Sequence, residues 1–140
     1  MAPDLDALLC ARYPILLKQR SLSPEESLLT WGFTCEDGWF LILDQLFARL
    51  QAAAGGGRIP QPVVSQVKEK FGTLRCRLDK GIYRRSIRLI EWASLHALRT
   101  CERCGAPGQL QSAPGYGRYV RCKRHAVPNG TIEHRGDHVA

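Results

Sequence analysis

The chain has 140 residues, 44% hydrophobic and 24% charged, with a net charge of +7. That length fits one domain able to bury a core of its own, with room for a small appendage. The longest apolar run, "WFLIL", is too short to span a bilayer, and "MAPDLDALLC" lacks the basic-then-apolar order of a signal peptide, so a membrane protein and a secreted precursor are both excluded as expectations.

Charge is uneven. Residues 1–50 carry four basic and seven acidic side chains, and residues 51–140 carry sixteen and six. The C-terminal part therefore suits a polyanion or an acidic protein surface as partner.

In chain order, "PDLDALLCARY" predicts a helix capped by Asp4, with Leu5, Leu8, Leu9 and Arg12 at helical spacing and Pro14 as the stop. "SPEESLLTWG" predicts a second helix. Ser23 caps it, Pro24 takes its first position, Glu26 completes a capping box and Gly32 ends it. Asp37 is the cap of a third, "GWFLILDQLFARLQAA", whose apolar stripe is Trp39, Phe40, Leu43, Leu46, Phe47 and Leu50. "AGGGRIPQP" at 54–62 is a loop by composition. "VVSQVKEKFGTLRCRLDKG" predicts a β-hairpin turning near Phe71-Gly72, with Leu74, Cys76 and Leu78 on one face and Arg75, Arg77 and Asp79 on the other. Residues 82–99 predict a long helix, with Tyr83, Ile87, Ile90, Ser94 and Ala97 on one face and Arg84, Arg88 and Arg99 on another. From Ala126 the chain is polar, interrupted by Pro128 and Gly130, and is expected to be loosely ordered.

The strongest chemical signal is "TCERCGAPGQLQSAPGYGRYVRCKRH" at 100–125. Cys101 and Cys104 form a Cys-x-x-Cys pair, and Cys122 and His125 repeat its spacing. A Cys-x-x-Cys turn gives two thiolates the bite a tetrahedral zinc needs. Gly105 suits the backbone turn that follows, and "APGYG" supplies the bend of a hairpin joining the pairs. Four protein ligands close the shell, so the predicted Zn2+ is single and structural; a catalytic zinc keeps a position open. Cys10, Cys35 and Cys76 are scattered singly. With an odd number outside the cluster, they read as free thiols of an intracellular protein rather than a disulfide framework.

No nucleophile motif, phosphate-binding Gly loop or paired carboxylates appear, so the chain is read as non-enzymatic. The terminal Asp137-His138-Val139 has the look of the first motif of a His-Asn-His nuclease, but nothing follows to supply the later Asn and His. His134 and His138, four apart, are separated by Gly136, which argues against a metal-binding helix there.

These elements make an α+β fold: N-terminal helices packed with a β-hairpin and a long helix (1–99), a small zinc-binding knuckle or ribbon (100–126), and a flexible tail (127–140). The candidate partner-binding surface is basic. It combines Lys68, Lys70, Arg75 and Arg77 of the hairpin, Arg84, Arg85 and Arg88 of the following helix, and Arg118, Arg121, Lys123 and Arg124 around the zinc ligands, as one continuous positive face. Tyr116 and Tyr119 are candidates to stack on bases.

"YPILL" with "WGFTCEDGWFLILDQL", then "QVKEKFGTLR", then "CERCGAPG" with Cys-x-x-His, in that order over residues 13–125, resemble a family of small uncharacterised proteins of phages and prophages; "LRCRLDKGIYRR" is more basic than the family pattern. The resemblance implies an accessory protein of a mobile element in a bacterial cytoplasm and brings no activity with it. Two functions follow as expectations: a module that binds nucleic acid through the basic face, or an inhibitor or adaptor that docks on a host protein or nucleoprotein complex, for example a defence system. Arginine serves either, since guanidinium pairs with phosphate and carboxylate alike. If the positive face is idle, Glu36, Asp37 and Trp39 are the next candidates.

Overall fold

The structure is a computed structural model that describes residues 1–133. The readings placed on His134 and on Asp137-His138-Val139 lie outside the described residues. The fold is a mixed α and β one, with helices and two small antiparallel sheets. None of its helices is long and apolar enough to cross a membrane, among the described residues.

Helix α1 (Pro3–Arg12) begins with proline at its first position rather than with Asp4 as cap, and its buried side chains are Asp6 and Leu9. Leu8 is largely exposed. The expected apolar stripe is replaced because Asp6 is needed inside: it takes Arg20 Nε at 3.1 Å and the Phe33 amide at 3.2 Å. Gly32, at φ +80°, passes so close that a Cβ would lie 2.6 Å from Asp6 Oδ2.

The second expected helix does not form. Half of its capping box is present, since the Ser23 amide donates to Glu26 Oε2 at 3.1 Å. But Ser27 is extended (φ −152°, ψ 137°) and restarts the chain as a single 3-10 turn, Leu28–Trp31. Its buried hydroxyl donates to Gln19 Oε1 at 2.8 Å and accepts the Leu29 amide at 3.2 Å. A serine that competes with the helix ladder through its own side chain is what interrupts the segment.

A further 3-10 turn, Asp37–Trp39, leads into α2 (Phe40–Gly55), which buries Leu43, Leu46, Phe47 and Leu50 as its spacing predicts, with Ile42 added and Phe40 only partly covered. Strands β1 (Val63–Lys70) and β2 (Thr73–Lys80) form the expected hairpin. Phe71 and Gly72 both have positive φ (52° and 77°), the backbone of a tight hairpin turn, and the Gly72 amide is held by Glu69 Oε1 at 2.6 Å. Val64, Val67, Leu74 and Leu78 enter the core, where they meet Leu16, Leu29, Trp39 and Phe47.

Helix α3 (Arg84–Ala97) is rotated from its expected orientation. Ser86, Ala93 and Ala97 are buried, whereas Tyr83 and Ile87 are about half exposed. Small residues let α3 lie close to α2, and Ser86 Oγ satisfies the helix start, donating to Gly81 O (2.7 Å) and accepting the Tyr83 amide (2.8 Å). Strands β3 (Gln109–Ala113), β4 (Gly117–Arg121) and β5 (Thr131–Ile132) form the second sheet in the order β4-β3-β5. Part of the stretch expected to be loose is therefore paired. Val127 is buried with its amide on Gln111 Oε1 (2.9 Å), and the Glu133 amide reaches Leu110 O (2.9 Å).

Candidate metal centre

The Cys101–Gly105 turn closes with Gly105 N to Cys101 O at 2.8 Å and Cys101 N to Ala106 O at 2.7 Å. Gly105, at φ +78°, allows the reversal. β3 and β4 then carry the chain out and back, so that Cys122 arrives beside the turn. A 3-10 turn, Lys123–His125, with the His125 amide on Cys122 O (3.1 Å), brings the imidazole back over the same point. The ligand atoms of Cys101, Cys104, Cys122 and His125 all lie within 4.8 Å of one another, close enough to bind a metal ion.

Three of the six spacings can be set against a tetrahedral site. Bonds of about 2.3 Å to sulfur and about 2.0 Å to nitrogen, set at tetrahedral angles, give edges of about 3.8 Å between sulfurs and about 3.5 Å from sulfur to nitrogen. Cys104 Sγ to Cys122 Sγ is 3.8 Å, Cys101 Sγ to His125 Nδ1 is 3.6 Å and Cys122 Sγ to His125 Nδ1 is 3.4 Å. At Cys122, burial acts to raise the thiol's pKa. Hydrogen bonds to the backbone of His125 and Arg124 and to the Cys104 and Cys101 thiols outweigh it and bring the value to about 6, favouring the thiolate a metal requires.

A seam unforeseen in the sequence joins this centre to the rest of the molecule. Glu102, between the first two ligands, is 3% exposed and accepts the Glu36 amide at 3.1 Å; its burial raises its pKa. Arg121 lies between Glu36 (2.7 Å) and Glu102 (3.3 Å) with 11% of its side chain exposed. Gly38 N donates to Glu102 O at 2.7 Å, and Trp39 Nε1 donates to Thr100 O at 3.0 Å. A Cβ on Gly38 would stand 2.2 Å from Cys101 O. The one sequence trace of this seam is an acid inside an otherwise cationic ligand cluster.

These contacts correct part of the expected basic face. Arg121 is an internal ion-pair residue, and Arg118 is bound to Glu133. The other cations fall in three groups. Lys68, Lys70, Arg75 and Arg77 point away from the core on the hairpin. Arg84, Arg85 and Arg88 instead line a groove with Arg49 and Trp92, on a different flank of α3 from the cleft that includes Arg75, Cys76 and Glu91. Lys123 and Arg124 are exposed beside the metal ligands. Tyr116 is exposed, while Tyr119 is half-buried with Arg121 over its ring at 4.8 Å. Trp39 is fully buried, Glu36 is paired, and Asp37 Oδ1 accepts the Ala2 amide at 2.6 Å, so the reserve candidates are parts of the scaffold.

Of the scattered thiols, Cys35 is buried in the core, and Cys10 and Cys76 are half-buried against it. Cys35 is buried and its pKa is pushed to about 12, chiefly by burial; burial likewise pushes Cys76 to about 12. No family model, no curated protein and no solved structure matches the chain.

Proposed function

We propose that the protein is a non-enzymatic module stapled by one structural zinc, which binds nucleic acid through the outward face of the β1–β2 hairpin. Three thiols and an imidazole, with three of their six spacings at the edges of a tetrahedral site, favour zinc, and four protein ligands leave no position for a reacting water.

The observation that carries the nucleic-acid reading is the strand register. Lys68 stands opposite Arg75, Gln66 opposite Arg77 and Lys70 opposite Thr73, so four cations share one face. None of the four enters an ion pair among the described residues. Asp79, the acid in the same alternation, accepts Gln19 Nε2 at 2.9 Å. Like charges directly opposed across strands cost stability, and phosphates would relieve that cost. The motif resemblance adds the setting, an accessory protein of a phage or other mobile element in a bacterial cytoplasm.

The test is binding to duplex DNA, single-stranded DNA and RNA across a salt series, for the wild type and for the triple reversal K68E/R75E/R77E. Affinity should fall steeply with salt, and the reversal should flatten that dependence while zinc content stays intact. Unchanged binding in the triple reversal sinks the reading.

A second reading, docking on a host protein, has its own observation. Trp31 is 68% exposed, and Leu22 and Leu28 are also exposed nearby in the chain. Tryptophan is a frequent anchor of protein interfaces. A partner captured from lysate that survives nuclease treatment and is lost in Trp31→Ser would favour it.

A further inference from the structure

Helix α3 carries a pattern that the hairpin face leaves unused. Arg85, Arg88 and Trp92 follow one another at spacings of three and four, and Leu89 lies four beyond Arg85 and three before Trp92, so they share one stripe of the helix. With Arg49 of α2 they line a groove of about 420 Å³. A second cleft of about 290 Å³ shares Trp92 and continues along the stripe to His96 and Arg99. Cations thus flank two rings along the stripe; its helical part, Arg85 to His96, is about 16 Å long at 1.5 Å per residue, and Arg99 follows just past the end of α3.

Two observations point to an anionic occupant with planar parts. First, Arg49, Arg84, Arg85, Arg88 and Arg99 are exposed, and none enters an ion pair among the described residues. The first turn of α3 has no acidic residue, so its arginines face the positive end of the helix dipole uncompensated. Second, three planar groups adjoin along the stripe: the Arg49 guanidinium lies 4.1 Å from the Trp92 ring centroid, and the Trp92 and His96 rings are 4.6 Å apart and tilted by 50°. Guanidinium and imidazole planes both accept a stacked base.

We infer that this stripe is a track for single-stranded nucleic acid, with phosphates at Arg84, Arg85, Arg88 and Arg99 and unpaired bases against the exposed Arg49 and His96 planes that adjoin Trp92. The inference rests on the nucleic-acid reading above and adds the strandedness and a second site. The groove lies between packed helices, whose axes run about 8–10 Å apart. A flexible single strand can follow it, whereas a duplex keeps its bases paired and reaches only the rim.

The probes are a fluorescent oligothymidylate of about 12 nucleotides, the corresponding duplex, and an oligoglutamate peptide. Arg85 and Arg88 are exposed, so R85E/R88E should fold, as zinc content and circular dichroism would verify. It should weaken the single strand at least tenfold and the duplex by much less; K68E/R75E/R77E should weaken both. A photo-crosslinkable oligonucleotide should attach to the tryptic peptide 89–99, which contains Trp92 and His96, and His96→Ala should reduce that yield. If the single strand binds but R85E/R88E leaves it unaffected and crosslinks map to the hairpin, the track is wrong and the hairpin reading stands. If no nucleic acid binds, both fail. If oligoglutamate binds more tightly than the oligonucleotide and is the ligand lost in R85E/R88E, the groove is a protein-docking site and the inference is overturned.

Discussion

The core and the C-terminal module that carries the Cys/His group bury very different amounts of apolar surface. Through α3, the chain buries large apolar side chains from every segment: Leu9, Leu16, Leu29, Trp39, Leu46, Phe47, Val67 and Leu74 are almost wholly covered. In residues 100–133 the buried apolar side chains outside the ligand set are Val120 and Val127. Two valines contribute about 1.5–3 kcal/mol each, far below the backbone entropy of that many residues at about 1–2 kcal/mol apiece. The module can be ordered only if something else holds it. Four convergent ligands and a buried ion-pair seam are the features available. Small elements need staples, and large ones make their own cohesion.

Removing the staple should break this comparison most completely. Cys104→Ser, or chelation of the wild type, should unfold residues 100–133 while α2 and the β1–β2 hairpin keep their slow-exchanging amides. Structural zinc contributes about 10–16 kcal/mol in isolated zinc-finger peptides, more than a module with two buried valines can replace. Hydrogen exchange with and without chelator would decide it, and protein purified without chelator should contain about one zinc per chain. Uniform protection across the chain after metal removal would mean that the module is held by its apolar contacts after all.

Cutting the seam should have the next largest effect. Arg121→Met leaves Glu102 buried without its cation, which costs about 3–5 kcal/mol for such a pair. Gly38→Ala drives a methyl into the Cys101 carbonyl and should cost about 1–3 kcal/mol by overpacking. Both variants should retain the metal ligands and the core, so the expected signature is the division of one thermal transition into two. A single transition merely shifted in temperature would show that the halves are coupled by other contacts.

The smallest effect sharpens the contrast without disturbing the fold. Burial pushes the Cys35 and Cys76 thiols up to about 12, whereas hydrogen bonds bring Cys122 down to about 6, and Cys104 is raised. At neutral pH the core thiols are protonated, and raising pH toward 12 should progressively expose them as thiolates. After chelation at pH 7, alkylation should label the module cysteines first and leave Cys35 and Cys76 almost untouched, as mass spectrometry of digests would record. Fast labelling of Cys35 in the native protein would contradict its burial.

The sequence by itself determined the pieces whose physics is local. Periodicity placed α2 and the hairpin, because a buried stripe repeats at the pitch of its own element. Ligand spacing located the candidate metal centre, because a Cys-x-x-Cys turn brings its sulfurs together whatever surrounds it. Tertiary structure decided the rest. Ser27 broke a well-signalled helix because Gln19, outside the segment, and Ser65, 38 positions away, offered its hydroxyl partners. Asp6 displaced Leu8 from the interior because Arg20 and Phe33 needed a carboxylate there. Arg121 left the expected binding face because Glu36, 85 positions away, and Glu102 enclose it. The basic residues of α3 separated from those of the hairpin because the small side chains of Ala93 and Ala97 set which flank of that helix faces α2. Charge counts and periodicity carry no information about such long-range pairings, since an ion pair or a buried hydroxyl is satisfied by proximity in space and leaves no repeat along the chain.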